Sequence, residues 1–226
     1  MPNLDFSIDG AEAVSFAASP MLSFKLNIRN ADREERIQSI ALRCQIQIET
    51  TRRKYSETEQ TQLFELFGEP ERWGRTLRPM LWVHTSAMVP PFQGETTVGL
   101  TVPCTFDFNI AATKYFAGLE DGVVPLNLMF SGTVFFESGD AGLQIDQISW
   151  DKEAHFKLPI HVWREMMDHY YPNTAWLCLR RDVFDQLARY KMEHAIPTWE
   201  QAIESLIPMT AKPVEEEVVV EGSLPS

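Results

Sequence analysis

The chain has 226 residues, of which 44% are hydrophobic and 23% charged, a composition typical of a globular protein. Its formal net charge is −12 at pH 7, and an acidic surface repels phosphodiesters and anionic lipid headgroups. These values argue against nucleic-acid binding. No apolar run approaches the roughly 18 to 20 residues that cross a bilayer, and residues 1–10 lack a basic segment followed by an apolar one. The sequence therefore predicts a cytoplasmic protein without membrane insertion.

The N-terminal part shows the two-residue hydrophobic period that is typical of β-strands. Apolar and polar side chains alternate in residues 4–8 and 21–30. In residues 58–67 the period changes to three or four, and Gly68 follows, which predicts a short helix. Strand patterns return at 80–85, 98–102, 105–110, 123–136 and 142–150. Seven or more short strands without a repeating strand–helix–strand unit favour an antiparallel β-sandwich over a Rossmann-type sheet.

The clearest strand pattern lies in residues 40–48, where the alternation is strict. It places three apolar side chains on one face, which we expect to meet the core: Leu42, Cys44 and Ile46. The opposite face is polar and meets water or a polar partner, as one side of an antiparallel sheet can do: Arg43, Gln45 and Gln47. The basic run at residues 52–54 is interpreted as a solvated hairpin end.

The C-terminal third changes to helical spacing. Residues 161–171 form one predicted helix, Asp182 is a candidate N-cap for a second that extends to about residue 194, and Thr198 with Gln201 matches the capping-box pattern of a third. The predicted fold is therefore a β-rich α+β protein. It has an antiparallel β-sandwich domain at 1–158, a helical C-terminal region at 159–208 packed on it, and a disordered acidic tail at 209–226.

Two C-terminal elements are distinctive: Ala-Trp-Leu at residues 175–177, and Tyr-Lys followed by Pro-Thr-Trp-Glu within residues 190–200. Together with the Ser-Ile-Ala-Leu-Arg strand at 39–43, they resemble a bacterial family known only as a domain of unknown function. The resemblance covers most of residues 1–208. That family is associated with gene neighbourhoods of nickel–iron hydrogenases, which implies an accessory role but provides no activity or catalytic residue.

Common signatures of hydrolases, nucleotide-binding proteins and zinc proteases are missing, because no G-x-S-x-G, G-x-x-x-x-G-K-[ST], G-x-G-x-x-G or H-E-x-x-H pattern occurs. The cysteines also indicate neither a structural metal site nor a disulfide framework. The three cysteines are far apart and form no C-x-x-C pair, so each is interpreted as a small buried residue: Cys44, Cys104 and Cys178. The sequence indicates neither a cofactor nor catalytic residues.

A row of metal-ligand residue types occurs in the first C-terminal helix, where His161, Glu165 and His169 are four residues apart. Neighbouring side chains in such a row stand about 6 Å apart on one helical face. The first and last are about twice that far apart, which is too far for one ion to be held by all three. We interpret the row as a polar stripe rather than a metal site.

A basic, aromatic-bearing loop is the predicted partner-binding site: Arg72, Trp73, Arg75 and Arg78. Arginine and tryptophan are enriched in binding hot spots because they combine a large contact area with directional donors. In an acidic protein such a loop reverses the local charge. The alternative is structural, with the arginines paired to Glu65, Glu69 and Glu71 and the tryptophan at the sheet edge.

A C-terminal aromatic group is the third candidate, formed by Trp176 and Trp199 with Tyr190 between them. These rings could line a groove for a partner segment. The favoured alternative is that they anchor the helices to the sandwich, since each such ring buries about 150 to 250 Å².

Two functions from different classes are consistent with these patterns. The preferred one is a non-catalytic accessory or adaptor protein that binds a protein partner, with a hydrogenase or its maturation machinery implied by the resemblance. The other is a metal- or small-ligand-binding enzyme of unrecognised type. It requires a pocket that joins His84, His155 or His161 to carboxylates.

Overall fold

The alternating segments assemble into two antiparallel sheets in the computed structural model, which describes residues 2–137 and 142–207. The strands of these residues are, in chain order, β1 (Leu4–Ala13), β2 (Met21–Asn30), β3 (Arg36–Ile48), β4 (Met80–Val89), β5 (Phe92–Gln93), β6 (Glu95–Pro103), β7 (Val123–Glu137), β8 (Leu143–Gln147) and β9 (Glu153–Pro159). One sheet has the order β1-β2-β6. The other has the order β4-β3-β7-β8, with β5 also paired to β3 and β9 to β7. The predicted β-rich antiparallel fold is confirmed.

Aromatic contacts show that the two sheets pack face to face. Phe6 of β1 stacks on Phe130 of β7, with ring centroids 4.5 Å apart. Phe24 of β2 meets Trp82 of β4 at 6.1 Å and Phe156 of β9 at 5.9 Å, both edge to face. Each contact joins a strand of the smaller sheet to a strand of the larger one. The hydrophobic core therefore lies between the sheets, where large rings contribute most of the buried area per residue.

Strand β3 is the centre of the larger sheet, with β4 on one side and β7 on the other. Leu42, Cys44 and Ile46 are buried, as the strict alternation predicts, while Arg43 and Gln45 lie on the outer face. The pairing with β4 shifts by one residue after Ile46. This bulge allows two consecutive β4 residues, Trp82 and Val83, to be buried together.

Gly132 is required where β7 pairs with β3, opposite Leu42. Its φ angle is +141°, and a Cβ atom at this position would lie 2.1 Å from the carbonyl oxygen of Ala41. A side chain at this position would therefore be strained by the backbone conformation and would also clash with the neighbouring strand. Gly132 also lies where the partner of this 15-residue strand changes from β9, paired with residues 123–129, to β8, paired with residues 133–137.

The helices of the described residues are α1 (Glu57–Gln62), α2 (Phe64–Phe67), α3 (Trp73–Thr76), α4 (Ile110–Ala117), α5 (Ile160–Tyr170), α6 (Arg181–Glu193) and α7 (Trp199–Leu206). The predicted helix at 58–67 is present as α1 and α2, which meet at Leu63. The strand predicted at 105–110 is wrong. Asn109 instead caps α4, because its side chain accepts a hydrogen bond from the Ala112 amide at 3.0 Å.

The chain divides into two compact units, residues 1–175 and 176–226. Helix α5 belongs to the first unit. The sequence analysis had placed it in the helical C-terminal region that begins at residue 159. Its apolar face explains this placement. Trp163 stacks on Phe116 of α4 at 5.2 Å between ring centroids, and Met166 and Met167 are buried. Packing of residues 176–207 on the sandwich stays a prediction.

The second unit contains α6 and α7. Thr198 caps α7 as predicted, since its hydroxyl accepts a hydrogen bond from the Gln201 amide at 3.2 Å. Asp182 is not the N-cap of α6, because that helix begins one residue earlier, at Arg181. Asp182 lies in the first turn, where a carboxylate also interacts favourably with the helix dipole. The predicted disordered tail at 209–226 lies outside the described residues. No helix in the described part of the chain is long and apolar enough to span a membrane.

Two of the three cysteines are buried and one is exposed. Burial raises the pKa of the Cys44 and Cys104 thiols to about 12. Cys178 is exposed, so the prediction that it is buried is wrong.

Since the thiolate is the reactive form of cysteine, we expect a thiol reagent at pH 8 to modify Cys178 rapidly in the native protein. Cys44 and Cys104 should react only after denaturation. Mass spectrometry of the modified chain measures this, and rapid labelling of the native Cys178→Ser variant would contradict it.

Candidate functional site

The predicted partner-binding loop contains one buried residue and three exposed arginines. Trp73 is 7% exposed, and its indole nitrogen donates a hydrogen bond to the Gly68 carbonyl at 2.9 Å. Its ring lies edge to face against Tyr55 and Phe67, with centroids 5.2 and 5.7 Å away. Trp73 is therefore part of the core, and a partner at this surface would meet the arginines without it.

The three arginines differ in their intramolecular contacts. Arg72 forms an exposed ion pair with Glu69, with 3.2 Å between Nε and Oε2. Arg78 donates to the carbonyl of Leu77 at 2.9 Å. Glu65, another suggested partner of the loop, instead pairs with Lys114, whose Nζ lies 2.6 Å from its carboxylate. Of the arginine–glutamate pairs that the structural alternative predicted, the structure shows the one between Arg72 and Glu69. Partner binding by Arg72, Arg75 and Arg78 stays a prediction.

The polar row on α5 is divided between a groove and the surface outside it. No group of three or more His, Cys, Asp or Glu side chains in residues 2–137 and 142–207 is placed to hold a metal ion. Glu165 and His169 instead line a groove, whereas His161 does not. The row thus supplies two polar groups to a cavity that sequence spacing alone did not reveal.

This cavity, the α5 groove, lies between α5 and the end of β1 with the loop that follows it. Its volume is about 520 Å³, which is within the range of small-molecule sites. Its lining consists of residues 11–17 together with Val162, Glu165, Met166, His169 and Tyr170. The Tyr170 hydroxyl donates a hydrogen bond to the Ala17 carbonyl at 2.8 Å. This bond connects the loop to the helix and so joins the two sides of the groove.

Phe16 is the most unusual residue of the α5 groove. It is fully exposed, and its φ angle is +59°. A bulky residue in this left-handed region is an outlier that costs roughly 1 to 2 kcal/mol. Neither side-chain burial nor a favourable backbone conformation explains why a phenylalanine occupies this position. Local strain of this kind motivates a functional hypothesis.

A second cavity, the α6–α7 groove, lies entirely within the second unit and has a volume of about 520 Å³. Its lining is mainly apolar: Leu177, Leu179, Arg181, Phe184, Asp185, Leu187, Trp199 and Ile203. Phe184 and Trp199 contact each other across the two helices at 5.2 Å between ring centroids. Both rings are nevertheless more than one-third exposed. Of the predicted aromatic group, Trp199 lines this groove, while Trp176 and Tyr190 do not.

The enzyme alternative requires a cavity that joins His84, His155 or His161 to carboxylates, and His161 does not line the α5 groove. His84 lines a cavity of about 470 Å³ on the outer face of the larger sheet, whose lining residues include no Asp or Glu. His155 lies on an exposed surface, with Nε2 3.6 Å from a carboxylate oxygen of Glu153. Neither arrangement gathers the acid, base and nucleophile that a catalytic site needs.

Comparisons with known proteins identify the family but no activity. No curated protein matches the chain. Among solved structures, the solution structure of a candidate late embryogenesis abundant (LEA) protein aligns at 15% identity over 70% of this chain and 73% of that chain, with a TM-score of 0.29. A likeness at that level carries no argument about function. A family model described as a family of unknown function, DUF6084, matches residues 1–215. Because this match covers nearly all of the sequence, the chain belongs to the DUF6084 family.

Proposed function

We propose that the protein is a non-catalytic accessory protein that binds a protein partner through the α6–α7 groove. One observation carries this proposal: Ala202 is the only buried residue among residues 176–207. The two helices have apolar side chains in abundance but bury almost none of them. This differs from the first unit, where the strands and α5 enclose a continuous core.

The exposed apolar side chains of the groove give it binding capacity. Leu177 is 65% exposed, and Phe184, Trp199 and Ile203 are each more than one-third exposed. Fully burying one such side chain stabilises a complex by about 1.5 to 3 kcal/mol before the costs of association. Contiguous exposed apolar surface rimmed by polar residues is typical of protein-interaction sites.

The occupant that fits this groove is an amphipathic helix of the partner. Such a helix presents apolar residues at positions i, i+3, i+4 and i+7 along one face and can lie between two existing helices. The groove also carries opposite charges one helical turn apart, Arg181 and Asp185. These charges would pair with a carboxylate and a basic side chain at the edge of the partner helix and so fix its direction.

The partner to test first comes from the family resemblance rather than from the geometry. The resemblance associates the family with nickel–iron hydrogenase gene neighbourhoods. A hydrogenase subunit or a component of its maturation machinery is therefore our proposed partner class.

The test compares purified full-length variants with a purified partner, identified first by capture from the native host. Leu177→Asp places a carboxylate in the groove. The bound helix would remove this charge from water without an opposite charge to pair with it, so binding should weaken by at least tenfold. Met192→Asp is the matched control, since Met192 is 76% exposed on α6 and does not line the groove. Binding by calorimetry, with cross-linking from position 177 to locate the partner helix, gives the readout.

Three outcomes would overturn the proposal. The first is equal binding by the Leu177→Asp and Met192→Asp variants. The second is a marked fall in the melting temperature of Leu177→Asp, which would make the side chain structural. The third is loss of binding in an Arg72, Arg75 and Arg78 triple glutamine variant while Leu177→Asp still binds. That result would favour the arginine surface, with attraction that weakens as salt rises.

A further inference from the structure

The α5 groove combines an apolar floor with acidic groups at its rim. Small and apolar side chains form most of its lining, including Ala11, Val14, Val162 and Met166. A ligand that fills the groove therefore needs an apolar portion. The groove lies in the first unit, so the inference drawn from it is independent of the function proposed for the α6–α7 groove.

The charges that face the groove are of one sign. Glu12 and Glu165 are among its lining residues, which include neither lysine nor arginine. Both carboxylates are exposed, and neither forms an ion pair with any residue in the described part of the chain. Two unpaired carboxylates over an apolar floor are complementary to a cation.

Phe16 adds a third recognition element. Its ring is exposed to solvent in the loop between β1 and β2, while the Tyr170–Ala17 hydrogen bond attaches that loop to α5. The face of an aromatic ring attracts cations within about 6 Å, most strongly ammonium groups that have lost part of their water. A ligand in the groove would give this exposed ring a contact that the free protein does not provide.

We propose that the α5 groove binds an organic ammonium ion with an apolar substituent. The apolar substituent lies on the floor formed by β1 and α5. The ammonium group lies between Glu12 and Glu165, and Phe16 covers it. His169 contributes a ring nitrogen at the same rim and can hydrogen-bond a polar group of the ligand.

The test uses n-octylammonium as the probe and n-octanol and n-octanoate as probes of equal chain length without the positive charge. Two-dimensional NMR of the full chain should show shifts confined to residues 11–17 and 162–170 for octylammonium. Octanol should bind several-fold more weakly and octanoate should not bind detectably. Raising the salt concentration should weaken octylammonium binding, because exposed charges are screened over about 8 to 10 Å.

Variants separate the carboxylates from the general acidity of the protein. Glu12→Gln with Glu165→Gln should weaken octylammonium binding by roughly three- to tenfold, as expected for exposed charge pairs. Asp168→Asn is the control, because Asp168 is exposed on the same helix and does not line the groove. Equal loss in both variants, or equal binding of octylammonium and octanol to the wild type, would overturn the proposal.

Phe16 supplies an independent test. If its ring serves binding, replacing it should not lower the stability of the protein, whereas if the ring stabilises the fold, replacing it should. Asparagine tolerates the left-handed backbone conformation, so Phe16→Asn should retain or raise the melting temperature while it weakens octylammonium binding. A fall in melting temperature without any change in binding would mean that the ring stabilises the fold. That result would overturn the assigned role of Phe16.

Discussion

Replacing Leu42 with Asp is expected to unfold the protein. Leu42 is 1% exposed and lies in the middle of β3, paired with Ala87 of β4 and Gly132 of β7. The substitution removes a buried apolar side chain, which contributes about 1.5 to 3 kcal/mol, and places a charge where no partner can reach it. The combined cost approaches the total stability of an ordinary domain, roughly 5 to 15 kcal/mol.

The control for this experiment is Gln45→Asp, on the same strand but on its outer face. Gln45 is only half-buried and lies between His84 and Met129 of the neighbouring strands. Asp is a poor strand residue, so a cost of no more than about 1 kcal/mol is expected. Circular dichroism and thermal melting of both variants measure the difference. A cooperative melt of Leu42→Asp at the wild-type temperature would contradict the assignment of the buried face.

The strands could be predicted because their period is a local property. In residues 40–48 of β3 every inward residue is apolar and every outward residue except Ala41 is polar, so the pattern alone gives both the strand and its buried face. Helix α4 could not be predicted in the same way. The apolar residues Phe106, Phe108 and Ile110 alternate as in a strand, and in so short a segment the period alone does not exclude a turn followed by a helix. The cap at Asn109 decides in favour of the helix.

The candidate sites depend on contacts that sequence spacing does not show. Helix α5 lines its groove with residues 11–17, which are distant along the chain. Phe16 gave no sequence signal, because its backbone angle and its exposure are visible only in the fold. Trp73 illustrates the opposite error. Its residue type suggested a binding hot spot, but its indole is satisfied by Gly68 within the core.

Arg53 is a further case in which the sequence pattern was misleading, because the basic run at 52–54 was interpreted as a solvated hairpin end. Its side chain is only 9% exposed and pairs with Glu59, with 2.5 Å between Nη2 and Oε1. The guanidinium also donates to the carbonyls of Asp121 and Val123. Glu59 in turn accepts hydrogen bonds from the backbone amides of Ser56 and Glu120. Ser56 and Glu59 form the capping box at the N-terminus of α1, so the Arg53–Glu59 pair connects this helix end to the start of β7.

Replacing Arg53 with Met is expected to lower the free energy of unfolding by about 3 to 5 kcal/mol, because the Glu59 carboxylate is left buried without its partner. Arg52→Met is the matched control. Arg52 is 59% exposed and pairs at 2.8 Å with Glu49, whose side chain is 12% exposed, so the loss of this partly exposed pair should cost less, about 1 kcal/mol. Urea denaturation measures both values. Equal losses for the two neighbouring arginines would show that the Arg53–Glu59 pair adds nothing beyond a surface ion pair.

The Arg53→Met, Glu59→Gln double variant separates the buried charge from the backbone hydrogen bonds. The amides of Ser56 and Glu120 donate to different carboxylate oxygens of Glu59, and glutamine, which carries no charge, keeps only one acceptor oxygen and so retains one of the two bonds. The double variant should still be more stable than Arg53→Met alone, by roughly 1 kcal/mol, since an uncompensated buried charge costs more than one lost amide hydrogen bond. A double variant less stable than Arg53→Met would contradict this explanation. The stabilisation would then arise from the guanidinium and carboxylate acting separately on the backbone.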